Sequence, residues 1–353
     1  MTNLNPAYRV EHIRAQKLAS HGALAFDWVM VILGLWMIGG VHLDAWAHHK
    51  FDIETFLTAW HALMYSGYIA LTGVLMGTFI RNVSRGAVWR AAVPAGYGLS
   101  LLGAAILLIG VFADMLWHAR FNIRPRLDAL LNPPHLFLVF GSALMISGPL
   151  RAAWKRPVGA GRSWVSLLPA ILSLALLLAG LSFFTSYSHP LSDALLTIAQ
   201  RPPSDTQMHG YVGTGMSSIL LQSTIMMGII LLAVRRWWLP IGSLTLMITI
   251  AYGLTVSIHE NFFLIPFEIL AGLAAEILYW RLKPTAGRPA SFRWFSFGVP
   301  LIFYTLYFLA LSLTNVIWWT ISLRVEAILL SGLTGWLLSY AVLPPPAIDK
   351  PEI

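Results

Sequence analysis

The chain has no cysteine and very little charge. Without cysteine there are no disulfides and no thiolate, so any metal or catalytic centre must be built from His, Asp, Glu or hydroxyl groups. Only 11% of the 353 residues are charged, whereas a soluble domain carries about a quarter, which excludes a water-facing globular surface. The strict apolar/polar alternation of barrel strands is also missing, and the apolar runs are about twice a barrel strand in length. Backbone groups placed in hydrocarbon must then be satisfied within helices. No short apolar core ending at a small-residue cleavage site precedes the first run, so the first helix is expected to stay as an uncleaved anchor.

What is present is apolar sequence, 57% of the chain. Ten runs approach the ~20 residues needed to cross ~30 Å of hydrocarbon: 25–43, 59–79, 93–113, 134–150, 165–185, 209–234, 238–257, 263–281, 296–317 and 325–343. The expected fold class is an all-α integral membrane protein of about ten transmembrane helices, a single polytopic domain over 1–353. Its surroundings are the lipid bilayer of the cell (inner) membrane. When the connections are walked alternately, 17 of the 23 basic residues collect on one side, from Arg9, Arg14 and Lys17 to Lys350. Cytoplasmic loops carry the Lys/Arg excess, which puts both termini in the cytoplasm. The net charge of +8 is thereby a topology signal and does not imply a nucleic-acid partner.

The same walk sorts the eleven histidines. His12 and His21 fall with the basic loops, while His42, His48, His49, His61, His118, His135, His189, His209 and His259 gather at the opposite, extracytoplasmic face. They follow an internal repeat. The even runs open "WHALMYSG", "PHLFLVFG", "MHGYVGTG", "FEILAGLA" and "VEAILLSG", each with a ligand-capable residue (His61, His135, His209, Glu268, Glu326) followed six positions on by Gly67, Gly141, Gly215, Ala274 or Gly332. Small residues at such positions suit close helix packing in lipid. The odd runs end in pairs four apart: Asp44 and His48, Asp114 and His118, Thr185 and His189, Thr255 and His259, Asn315 and Trp319. Four residues is about one helical turn, so each pair shares a face. The chain therefore reads as five tandem helical hairpins, 25–79, 93–150, 165–234, 238–281 and 296–343.

In the first hairpin, Asp44 and His48 project from one turn, and His61 opens the antiparallel helix after a twelve-residue connection. One carboxylate and two imidazoles make a first shell for a divalent ion such as copper, zinc or iron. Three protein ligands leave a coordination position open, as catalytic sites do. Asp114, His118 and His135 repeat the set. Taken singly, each histidine reads as a hydrated helix end, His61 and His135 following the capping candidates Thr58 and Asn132. Duplication of the triad favours ligands. His189 with His209 is a weaker third metal position, completed by Tyr187 or Asp193. His259, Glu260 and Glu268 form a further small cluster that reads as a ligand set or, at least equally, as a salt-bridged or hydrated loop. Trp60, Trp117, Trp318 and Trp319 read as interface anchors, and Asp27 and Glu276 serve packing or proton movement.

Asp44-x3-His48-x12-His61 resembles the Asp-x3-His-x12-His motif in a membrane-embedded subunit of particulate methane and ammonia monooxygenases, and "DAWAHHKFDIETFLTAWH" is similar to that family's surrounding pattern. That subunit carries a second, related motif with Asn in place of Asp, which the second set resembles with a longer, x16 gap. The resemblance covers the first 140 residues or so. It implies a membrane copper site at Asp44, His48 and His61, a second at the other triad, and partner subunits or an electron donor. The functions left open are a copper-dependent membrane oxidoreductase, a metal-binding, transport or handover protein, a zinc-dependent membrane hydrolase, and a haem protein with histidine axial ligands.

Overall fold

The computed structural model describes residues 6–51, 58–121, 130–156, 163–192, 204–314 and 317–344, with side chains from residue 23 onward. Asp193 and Asn315 lie outside the described residues. Within them every regular element is helical: α1 (Pro6–Lys50), α2 (Ala59–Ser84), α3 (Gly98–Phe121), α4 (Pro133–Ile146), α5 (Gly148–Lys155), α6 (Trp164–Phe184), α7 (Asp205–Arg236), α8 (Ser243–Ser257), α9 (Ile265–Leu282), α10 (Pro289–Leu313) and α11 (Ile321–Val342). Eight helices among these residues are long and apolar enough to cross a membrane, nine if α4 and α5 form one bent span. Helix α8 has 15 residues, about 22 Å of rise, and is short for a span. The ten apolar runs thus become eight clear spans, one bent pair and one short helix.

Helix α1 packs along α2, α3 along α4, α8 along α9 and α10 along α11. Missing side chains set the closest approaches. A Cβ on Gly67 of α2 would lie 2.8 Å from the Met37 backbone of α1, and one on Gly141 of α4 would lie 2.7 Å from the Leu107 nitrogen of α3. In the α8/α9 pair the tight contact falls at Gly272, whose Cβ would meet the Thr245 Cα at 2.8 Å, rather than at Ala274. Helix α6 departs from the pairwise pattern by packing more extensively on α8 and α1 than on α7, which turns to α11. Its sequence, "WVSLLPAILSLALLLAGLSFF", is apolar on every side, and most residues from Leu167 to Ser182 are buried among the other helices, which puts α6 at the centre of the bundle.

The α4–α5 bend is 40° and follows from Pro149, which cannot donate a helical hydrogen bond. Arg151 takes up what the bend frees: its guanidinium donates to Leu144 O at 2.8 Å, Gly96 O at 2.8 Å and Ser100 Oγ at 2.7 Å. At this end Asp27 of α1 accepts from the Tyr97 hydroxyl at 2.6 Å and pairs with Arg156. Glu276 accepts from the Leu244 backbone at the start of α8 and from Trp280 Nε1. Both acids are held by protein donors. Trp319, read from sequence as an interface anchor, is buried against Phe308 with ring centroids 5.9 Å apart.

Candidate metal centre

The first triad is assembled by local rules. Asp44 and His48 stack on the last turns of α1 because they are four residues apart. The His48 ring nitrogen Nδ1 donates to the Asp44 carbonyl at 2.9 Å. A carbonyl can only accept, so Nδ1 carries the proton and Nε2 presents the lone pair. Thr58 caps α2: its hydroxyl oxygen accepts from the His61 backbone N–H at 3.1 Å and lies 2.8 Å from His61 Nδ1. The residue that starts the helix therefore also orients the imidazole.

With α1 and α2 in contact through Gly67, the three side chains converge. His48 Nδ1 and His61 Nδ1 each lie 3.5 Å from an Asp44 carboxylate oxygen, and the two rings are 5.1 Å apart and perpendicular. Among the described residues, this is the group of three whose ligand atoms all lie within 4.8 Å of one another. Asp44 Oδ1 is buried and accepts no hydrogen bond. A buried carboxylate oxygen left without a donor marks the place of an ion or water. The donor set and the orphaned oxygen together fit a divalent first-row ion.

The second triad converges differently. His118 Nε2 and His135 Nδ1 both lie 3.3 Å from the same oxygen, Asp114 Oδ1, which also accepts from Asn132 Nδ2 at 3.3 Å. Asn132 repeats the part of Thr58: its side-chain oxygen accepts from the His135 backbone at 2.8 Å and from His135 Nδ1 at 2.7 Å. The rings are 6.5 Å apart, wider than in the first triad, and the carboxylate is occupied by protein donors. This set is internally satisfied where the first is not.

Both triads open on one cavity of about 170 Å³. Asp44 and His61 reach it from one side, Asp114 and His135 from the other, and Met37, Met64, Leu107, Leu138 and Phe184 supply apolar wall. Tyr65, one turn beyond His61, also lines it, with its ring 6.0 Å from that imidazole. Sequence reading passed over Tyr65. The available signal was its spacing of four from His61, which places it on the ligand face.

The remaining candidates are dispersed. His189 is buried beside Tyr252, its Nδ1 accepting from the Leu191 N–H at 3.1 Å, and burial pushes it down to about 3. His209 is exposed on α7. Neither belongs to a three-ligand group among the described residues. Glu260 is held by Lys50 at 2.8 Å and by Trp46 Nε1 at 3.0 Å, and Glu268 is buried apart from it. His259 packs at a tilt against His49 with centroids 4.3 Å apart; burial, then that neighbour, push it down to about 4. These contacts tie the end of α1 to the turn after α8. No protein-family model, curated protein or solved structure matches the chain.

Proposed function

We propose that this membrane protein is a metalloenzyme that binds copper at Asp44, His48 and His61 and oxidises a small apolar molecule held in the adjoining cavity. The observation that carries the reading is the mutual approach of the three ligand atoms, with an orphaned Asp44 oxygen, on the wall of an apolar chamber. Copper, when bound, would supply redox chemistry and an open coordination position. The chain's own residues do the rest. Thr58 and the Asp44 carbonyl fix the two rings, and the carboxylate offsets the ion's charge. The apolar wall holds the substrate and excludes water.

The spacing Asp44-x3-His48-x12-His61, similar to that of the membrane-embedded monooxygenase subunit, supports copper over zinc or iron. In this reading Asp114, His118 and His135 form a second metal position, the layout is ten spans in five hairpins, and both termini are cytoplasmic. The triads then face outward, where an electron donor or partner protein reaches them. One observation favours a second reading, metal handover: the two Asp/His sets share a cavity, which suits an ion passed from one to the other.

The test is elemental analysis of purified protein supplied with copper, zinc or iron. His61→Ala should lose most of the metal, Asp44→Asn should bind it more weakly, and His49→Ala should keep it. If the parent binds none, or all three variants retain the parent's content, the metal reading fails. Oxygen uptake with a reductant and a small apolar substrate separates oxidation from handover, which predicts stoichiometric release to a chelator and no turnover.

A further inference from the structure

Four carboxylates are buried among the described side chains: Asp27, Asp114, Glu268 and Glu276. Three have protein donors. Asp27 has Tyr97 and Arg156, Asp114 has Asn132 with two histidines, and Glu276 has the Leu244 N–H and Trp280. Glu268 is 3% exposed and neither of its oxygens has a hydrogen-bond partner. It lies on the same helix as Glu276, so neither the helix nor the residue type explains the difference. A carboxylate stripped of water without a partner costs several kcal/mol, and an unsatisfied buried group calls for an ion or water to complete it.

The space for such an occupant is present. Glu268 lines a cavity of about 10 Å³ with Leu191, Leu264, Phe267, Phe303 and Tyr307, a volume of roughly one water-sized sphere. Its walls are pinned: the Tyr307 hydroxyl donates to Pro190 O at 2.8 Å, and Asn261 Nδ2 donates to Leu191 O at 3.0 Å. Each of these carbonyls keeps a second lone pair. The titratable groups nearby are Tyr252 on α8, which lies within reach of the Glu268 charge, Tyr307 on α10, and His189 in the turn after α6, packed on Tyr252. None is cationic at neutral pH, since burial keeps His189 uncharged. The ion pairs among the described residues all lie elsewhere.

We propose that Glu268 anchors a buried site for one small monovalent cation, sodium or a proton carried on water. A single charge balances a single carboxylate, and a chamber of this size excludes a hydrated divalent ion, which gives up its waters reluctantly. Glu268 stands one turn into α9. The turn before that helix is clamped to the end of α1 through Glu260 and Lys50, so the site lies toward the same end of the bundle as the two Asp/His triads. It is independent of them and stands whether or not they bind metal.

The test uses the full chain in lipid nanodiscs. Modification by an apolar carbodiimide, which attacks protonated carboxyl groups in dry surroundings, is mapped by mass spectrometry in sodium, potassium and N-methylglucamine chlorides at constant ionic strength and at acid and neutral pH. Melting temperature is followed in the same solutions. Glu268 should be modified and Glu276, held by its donors, should not. If sodium is the occupant, it should slow modification about tenfold at ten times its dissociation constant and raise the melting temperature of the parent, with no such rise in Glu268→Gln. If a proton is the occupant, modification should follow pH and ignore sodium. Should Glu268→Gln fail to fold, protection in the parent decides alone. Modification of Glu268 that is absent, or equal in every salt and at both pH values, overturns the site.

Discussion

Replacing Gly67 with Ala tests whether helix contact sets the metal centre. The added Cβ would sit 2.8 Å from both the Met37 Cα and its nitrogen, while carbon atoms pack comfortably at ~3.5–4.0 Å. Backbone cannot swing aside as a side chain does, so α1 and α2 must part by roughly 0.7–1 Å at this level. His61 is six residues from Gly67 and Asp44 is seven from Met37, about 9–10 Å along each axis, and stiff helices carry the displacement to the triad. Metal–ligand distances tolerate only about ±0.2 Å. Gly67→Ala should therefore cost about 1–3 kcal/mol of stability and lower metal affinity by at least ~10-fold, with helix content unchanged. Gly73, on the same helix, has nothing within 4 Å of its added Cβ, so Gly73→Ala is the control and should match the parent. Metal content after loading and dialysis against a graded chelator, read beside thermal unfolding, measures both effects. Equal metal retention by the two variants would refute the link from packing to site.

Asp27→Asn leaves the Arg156 guanidinium without its countercharge and should destabilise by about 3 kcal/mol, whereas Lys50→Met, at an exposed pair with Glu260, should leave stability close to that of the parent; denaturant unfolding in detergent compares them. Asn132→Ala removes the α4 cap and a donor to Asp114, and should cost at least ~1 kcal/mol with loss of the His135 ring orientation, visible in the imidazole NMR signals. His189, at about 3 in the fold against an ordinary 6.5, stays neutral where the unfolded chain binds a proton. Its contribution is complete above the unfolded value and is lost as pH falls toward about 3, on the order of 5 kcal/mol. His189→Gln should flatten that part of the stability–pH curve, and an unchanged slope would remove His189 as its source.

The membrane class and the helix positions were legible in the sequence because hydrocarbon enforces one solution on the backbone. The first triad was legible because its geometry is local: a four-residue spacing on α1, and a cap three residues before His61. What escaped depended on contacts between distant segments. The run at 238–257 yields a helix only from Ser243, since Gly242 just before it takes a left-handed φ of 89° and Leu239 is tied to the Tyr279 hydroxyl of α9. The α4–α5 bend needed Arg151 to complete it. The meeting of two triads on one cavity depended on Phe183 and Phe184 of the central α6 closing its wall, and no spacing within either hairpin encodes that. In the sequence Glu268 forms one cluster with His259 and Glu260, yet the short segment between Glu260 and Glu268 leads from an exposed ion pair to a dry interior.

Thr58 and Asn132 each hold a helix start and an imidazole with the same atom. Opening of the first turn of α2 would break the cap and turn the His61 ring loose in one event, and the converse holds: a filled site would lock that turn. Residence time of a bound ion should then be governed by how often one turn of helix frays, a rate that a stronger or weaker capping residue at position 58 would tune without altering any ligand.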